Sequence, residues 1–325
     1  MNPMLRRCLC ALLLAAGAAA PLAGHAQAYP SRPVTLIVPQ TPGGSSDRLA
    51  RMIAAELGER WKQPVVVENR SGAGGNIGMA AFAKTPPDGH AMLLSYVGTH
   101  AVNPSLYKDL AFDVQKDFVA AATLASVPFV LAVNSKVPVQ DFAGFVQYAK
   151  AQPNLTYGSA GTGSLNHLLG EMLNQVTGVK LMHVPYRGAA EAMTDMIGGQ
   201  ITAVFASLPS IAGLIREGTV KALAVTSARR AAQFSDIPTI AESGYPDYVV
   251  DPWFGLFLRA GTPQAIVAQV NADTNAILRD PGFVQKLATL GAEPMIMSPE
   301  QFAEQADKDL QTWSQVVAST GASRD

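Results

Sequence analysis

The chain has 325 residues, 48% hydrophobic and 15% charged, with a formal net charge of −1. A charged fraction well below the usual quarter argues against a disordered chain, and the balanced charge argues against a general nucleic-acid binder, which carries a basic excess. The 28 glycines and 22 prolines argue against a coiled coil, and the length suggests about two domains.

Residues 1–28 read as a secretory leader. Arg6 and Arg7 form a positive start, and the apolar run from Cys8 to Ala20 is shorter than the ~20 residues that span a bilayer. Ala26-Gln27-Ala28 supplies the small residues that signal peptidase accepts, which places the cut before Tyr29. A retained membrane anchor is the other reading of this segment. No cysteine follows the apolar run at the cut, so a lipoprotein is disfavoured. Both cysteines, Cys8 and Cys10, leave with the leader, and no disulfide, thiol nucleophile or cysteine metal site is expected afterwards. A chain of about 300 residues buries about three quarters of its unfolded surface, so it needs no staples. No later apolar stretch is long enough for a transmembrane helix, and the expected location is the periplasm.

Short apolar runs then alternate with amphipathic ones. Val34-Thr35-Leu36-Ile37-Val38 predicts a buried strand, followed by the turn-rich Thr41-Pro42-Gly43-Gly44-Ser45-Ser46-Asp47. Leu49, Met52, Ile53 and Leu57 give a helical period. Val65-Val66-Val67 is the next strand, Ser71 to Asn76 another glycine-rich loop, and Ile77 to Ala83 the start of a helix. Met92-Leu93-Leu94 is a third strand, leading into the segment from Ser95 to Thr99. A second block repeats the logic. It has strands at 129–133, 155–157, 201–206 and 220–225, and helices around Phe142–Ala149, Leu165–Val176 and Ala192–Ile197. A late strand at 254–258 precedes a helical end. This β-loop-α repetition predicts mainly parallel sheets with helices on both faces.

The loops carry the chemistry. A helix start presents unpaired backbone N–H groups and about half a positive charge. Glycine lets those groups approach a ligand, so such a start can hold a carboxylate or phosphate without lysine or arginine. The loops at 42–47 and 159–164 fit best. Each alone also reads as ordinary capping; two in separate blocks can face each other across a cleft. Neither glycine-rich loop completes G-x-G-x-x-G, and no G-x-x-x-x-G-K-[ST] loop is present, so no nucleotide cofactor is called for. Ser164 and His167 lie three apart on a predicted helix, so their side chains could meet as a nucleophile and base, but no third member is named and no G-x-S-x-G elbow exists. His90, His100, His167 and His183 are scattered, so no metal site is expected. Arg187 reads equally as an anion partner or a solvated side chain.

At this point the sequence resembles a family. Val65-Val66-Val67-Glu68-Asn69-Arg70 followed by Ser71-Gly72-Ala73-Gly74-Gly75-Asn76-Ile77-Gly78 is similar to a run of the Bug family, the substrate-binding receptors of tripartite tricarboxylate transporters. Pro86-Pro87-Asp88-Gly89, Asn103-Pro104-Ser105-Leu106-Tyr107, Tyr157 to Ser164 with His167-Leu168, His183 to Gly188, Ala222 to Thr226 and Gly261-Thr262-Pro263 also agree, from about Tyr29 to the end. The resemblance implies an α/β fold of the periplasmic binding protein type II-like class, with two α/β domains and a ligand cleft between them. It implies crossings near 126–133 and 251–258, a first domain from 29–126 and 251–325, and a second from 127–250. It implies a carboxylate held by Thr41, Pro42, Gly43, Gly44 and Ser45 from one side and Ser159, Ala160, Gly161, Thr162 and Gly163 from the other. Ser95, His167, Arg187 and Gly188 are expected near the cleft. Two departures stand out: Gln40 replaces the family's aromatic residue after the strand proline, and Ala206 replaces an aspartate before Ser207-Leu208-Pro209-Ser210.

The expected protein is thus a monomeric periplasmic receptor for a small carboxylated solute, without cofactor, metal or nucleic acid. It would close on its ligand and serve the membrane subunits of a transporter, or a sensor protein. A periplasmic serine hydrolase, a ligand sensor without a transport role, and an interaction protein with an empty cleft are the alternatives.

Overall fold

The structure, a computed structural model, describes residues 29–320, so the expected leader lies outside the described residues. In the first block β1 (Val34–Val38) leads to α1 (Ser45–Trp61), β2 (Val65–Asn69), a 3₁₀ turn at Ala73–Gly75, α2 (Asn76–Phe82) and β3 (Ala91–Tyr96). β1 is apolar except at Thr35 because it is central: β2 and β3 flank it in parallel, and four of its five residues are buried. α1 lays Leu49, Ile53 and Leu57, one turn apart, onto the sheet. A π turn over Gly98–Val102, α3 (Asn103–Leu106) and α4 (Val114–Asp117) bring the chain to β4 (Phe118–Ser126).

The second block comprises β5 (Phe129–Asn134), α5 (Phe142–Ala151), β6 (Thr156–Ser159), α6 (Leu165–Thr177), β7 (Met182–Pro185), α7 (Ala189–Gly198), β8 (Ala203–Ser207), α8 (Leu208–Arg216) and β9 (Val220–Val225). The chain returns through β10 (Trp253–Arg259), α9 (Gln264–Leu278), α10 (Pro281–Thr289), β11 (Glu293–Pro294) and α11 (Pro299–Thr320). Two sheets result, ordered β11-β4-β10-β3-β1-β2 and β7-β6-β8-β5-β9. No helix among the described residues is long and apolar enough to cross a membrane.

The expectation of mainly parallel sheets is corrected. β10 is antiparallel to β3 and β4, β11 is antiparallel to β4, and β5 is antiparallel to β8 and β9. The cause lies in the two crossings between the sheets. β4 leaves the first sheet at Ser126, and β10 re-enters opposite it at Trp253, so the two must run in opposite senses. β5 and β9 meet the same condition at the other sheet, where Thr226 N–H donates to Phe129 O at 2.8 Å. The crossings are themselves tied together. Val127 N–H donates to Pro252 O at 2.9 Å, and Val250 N–H to Thr226 O at 2.8 Å. The Ser126 hydroxyl donates to Asp251 at 3.3 Å.

One apolar core runs through both blocks, joining Leu93, Phe257 and Trp253 with Leu131, Tyr157, Leu168 and Phe205. His100 of the π turn is enclosed by it. Its ring stacks on Phe257 at 4.0 Å and lies 5.8 Å from Trp253 and 6.1 Å from Phe118. Nδ1 has no hydrogen-bond partner, and burial pushes the imidazole down to about 3. Burial, then the charge of His167, pushes His183 down to about 4. In the unfolded chain such groups charge near pH ~6.5. The unfolded state therefore binds more protons below that pH, so stability is full above about 6.5 and falls as the pH drops toward the folded values. His100→Phe, which fits the same aromatic cage, should flatten the fall of melting temperature between about pH 6.5 and 4. His183 contributes to the slope that remains. An unchanged slope in the variant would show that His100 does not titrate on unfolding.

Candidate ligand cleft

Loops from the carboxyl ends of β1, β2, β3, β6 and β7 converge on a cavity of about 350 Å³. This is where open α/β sheets place ligands, because strand ends and helix starts meet there. The six-stranded side contributes Pro39, Gln40 and Thr41 after β1, Ser71, Gly72, Gly74 and Gly75 after β2, Tyr96 at the end of β3, and Gly98 and Asn103 beyond it. The five-stranded side contributes Ala160, Gly163, Ser164 and Leu165 after β6 and Arg187 after β7.

The first loop is built around an internal carboxylate. Asp47, buried in the first turn of α1, accepts from Gly43 N–H at 3.0 Å and pairs with Arg51 at 2.9 Å. Burial alone would raise its carboxyl, but hydrogen bonds from Arg51, Gly43 and Asn69 and the charge of Arg51 outweigh it and hold the group below its ordinary value. The positive end of α1 thus already faces a carboxylate of its own chain. Gln40 is fixed at both ends: its carbonyl accepts from Asn69 Nδ2 at 3.1 Å, and its Nε2 donates to Thr99 Oγ1 at 2.9 Å. In the next loop Gly75 has φ +102, and a Cβ there would lie 2.8 Å from Thr99 Cγ2, so both conformation and close approach require glycine. Asn103 Nδ2 clamps the loop by donating to Gly74 O at 3.0 Å and Asn76 Oδ1 at 2.7 Å.

The second loop is held from beneath. Ser159 Oγ accepts from Gly161 N–H at 3.0 Å and lies 2.6 Å from His183 Nε2. The Ser164 hydroxyl donates to Gly161 O at 2.6 Å, while Gly163 N–H donates to His167 Nδ1 at 3.0 Å. The His167 and His183 rings lie 4.0 Å apart. Ser164 and His167 meet through the helix cap, His167 N–H donating to Ser164 Oγ at 3.4 Å. The His167 ring is turned to Gly163, so the spacing that suggested a hydrolase produces a cap. Ser159, beside His183, is buried and shut off from the cavity. Among the described residues no three His, Cys, Asp or Glu side chains are grouped so as to hold a metal ion.

Of the residues expected at the site, Thr41, Ala160, Gly163 and Arg187 line this cavity. Pro42, Gly43, Gly44 and Ser45 form the turn into α1 and stand outside the lining. Ser159, Gly161 and His167 stand outside the lining and shape the second loop, Thr162 is exposed, and Gly188 flanks Arg187. Ser95 is fully buried in β3 with its hydroxyl toward Met79 Sδ at 3.7 Å, so it does not reach the cavity. Ser71, Gly72, Gly74, Gly75, Asn103 and Leu165 also line the cavity, beyond the residues expected there. Residues 71–75 failed as a nucleotide signature, although they obey the same strand-to-helix rule as the loops that were chosen. Arg187 is exposed and is the one charged residue among those lining the cavity.

Two mixed α/β sheets joined by paired crossings, with strand-end loops from both facing one cavity, define a two-domain solute-binding fold of the periplasmic type II-like class. Residues 49–322 match the model of the tripartite tricarboxylate transporter family receptor, TctC. Protein BugT of Bordetella pertussis is 38% identical over 309 residues, covering 94% of this chain and 94% of BugT. A solved structure described as R. palustris Rpa4515 with adipate has a TM-score of 0.83 and 37% identity, over 91% of this chain and 99% of that one. MatC from Rhodopseudomonas palustris with bound malate has a TM-score of 0.78 and 32% identity, over 89% of this chain and 100% of that one. The chain belongs to the TctC family of tripartite tricarboxylate transporter receptors.

Proposed function

We propose that this protein is a periplasmic receptor that captures a small carboxylated solute in the cleft and delivers it to the membrane subunits of a tripartite tricarboxylate-type transporter, with no bond made or broken. The observation that carries this reading is the cavity wall: one cation, Arg187, no acid, and neutral hydrogen-bonding side chains from Gln40, Thr41, Ser71, Asn103 and Ser164. A carboxylate is the common solute group that such a wall complements. Adipate and malate, the solutes named with two relatives, are both dicarboxylates. Thr41, Ala160, Gly163 and Arg187 face the ligand on this reading, and Pro42, Gly43, Gly44, Ser45, Ser159, Gly161 and His167 support the loops. The segments that move are 29–126 with 251–325 and 127–250, turning about the tied crossings.

A thermal-shift series over mono-, di- and tricarboxylates, with amino acids and neutral sugars as controls, tests the assignment. A binder at a hundred times its Kd stabilises the fold by ~2.7 kcal/mol, so the melting temperature must rise with dose. We expect dicarboxylates to produce that rise. A rise confined to the uncharged controls would overturn the reading.

A further inference from the structure

The two sides of the cleft touch directly through protein side chain and backbone. Leu106 ends α3 on the six-stranded side, and Gly163 lies in the second loop on the five-stranded side. A Cβ built on Gly163 would lie 2.7 Å from Leu106 Cδ1 and 2.9 Å from Cδ2. The leucine tip therefore fills the space that any other residue at 163 would occupy with its own side chain. Leu106 is only 2% exposed and shares a core cluster with Leu165 and Leu168 of α6. α3 rests on α11, and α11 also packs against α6, so the contact is braced from behind.

Both partners are tied to the cavity. Gly163 lines it and hangs by its N–H from His167 Nδ1. Asn103, one turn before Leu106, lines it from the other side and clamps the loop after β2. A second contact between the sides, a Gly291 Cβ position 3.1 Å from Leu208 Cβ, differs in kind: it lies beside the crossings, where Leu208 N–H donates to Pro128 O at 3.0 Å. Rotation about the crossings would move that contact little and the Leu106 contact more.

We propose that Leu106 is a positioning residue for closure, seated on Gly163 like a knob in a hole, so that this contact holds the two sides together and keeps the second loop at the height the solute requires. The affinity part of this inference rests on the proposed function; the geometric part does not.

The described chain contains no cysteine, so single cysteines at the exposed positions Glu59 and Lys150 can carry a pair of spin labels, one on each side. Distance distributions of the full-length mature protein are then measured without solute. Leu106→Ala and Gly163→Ala should both move the distribution to longer and broader distances, the first by removing the knob and the second by filling the hole at a φ of +75 that already disfavours alanine. Leu106→Met, which keeps the bulk, should retain the parent distribution. Parent-like distributions in both alanine variants would overturn the proposal, as would equal lengthening in Leu106→Met. With malate and adipate as probes, Leu106→Ala should also bind at least ten-fold more weakly through a faster off-rate. If neither probe binds the parent protein, the proposed solute class fails, while the solute-free distances still decide the role of Leu106.

Discussion

Replacing Arg187 by glutamate should weaken carboxylate binding at least a hundredfold and leave the unliganded melting temperature within about a degree of the parent. A hydrogen bond to a charged group contributes ~1.5–3 kcal/mol, which by itself is about ten- to a hundredfold in affinity. The reversed charge adds repulsion at the same place. Stability should hardly change, because the side chain is exposed and surface substitutions usually fall within ~0.5 kcal/mol. Its backbone N–H, which donates to Glu191 at 3.2 Å, survives the substitution. Arg187→Gln, which keeps donors without the charge, should fall between, at about tenfold. Calorimetric titration with the best carboxylate, at low and moderate salt, checks all three proteins. If the glutamate variant binds like the parent, main-chain donors alone hold the anion and Arg187 is a solvated side chain.

That comparison matters because the structure divides the two helix starts. The sequence predicts a grip by the backbone dipoles of both loops, in place of a formal positive charge. At α1 the dipole is already engaged by Asp47, whose partner Gly43 belongs to the same loop. At α6 two loop N–H groups, those of Gly161 and Gly163, are taken by Ser159 and His167. The remaining field at each helix start still favours an anion, but less than an unoccupied pair of starts would. Arg187 then becomes the natural complement, and it lines the same wall.

What the sequence exposed, and what it hid, follows from physical range. Periodicity is a local signal, so the eight expected strands form with ends displaced by a few residues at most, and the long helices with them. β4 went unrecognised because its run, FVAAATLAS, is alanine-rich and does not alternate. β7 went unrecognised because it is a short edge strand ending in Pro185, where no ladder bond is lost. Antiparallel pairing of β10 with β4 depends on where the chain re-enters a sheet 127 residues after leaving it, from Ser126 to Trp253. No window of residues contains that information. The cleft was legible in part for the same reason: glycine and hydroxyl residues at a strand end are visible locally, whereas the inward burial of Ser95 and the cross-cleft reach of Leu106 depend on tertiary packing.

Trp253→Ala should cost about 3–5 kcal/mol, the range for removing a buried aromatic from a core. Trp253 is fully buried where the chain re-enters the six-stranded sheet, and its ring stands edge-on to Phe302 at 5.0 Å and 84°. Loss of the ring would also unseat His100 and Phe257, its neighbours at 5.8 and 5.9 Å. A second effect is polar: Trp253 Nε1 donates to Asp309 Oδ2 at 2.7 Å. Burial raises the Asp309 carboxyl above its ordinary value, against the lowering effect of hydrogen bonds from Gln305 and Trp253. Trp253→Phe separates the two contributions, because it keeps most of the packing and removes the donor. Its Asp309 should rise further. An acid raised in the fold binds more protons folded than unfolded, so stability is gained as the pH falls. Urea unfolding followed by far-ultraviolet circular dichroism should therefore show Trp253→Phe losing less, relative to the parent, at pH ~5 than at pH ~7. The packing part of the Trp253→Ala deficit should be the same at both. A Trp253→Phe deficit independent of pH would mean that Asp309 is satisfied by Gln305 alone, and that the tryptophan holds the re-entry point through packing and nothing else.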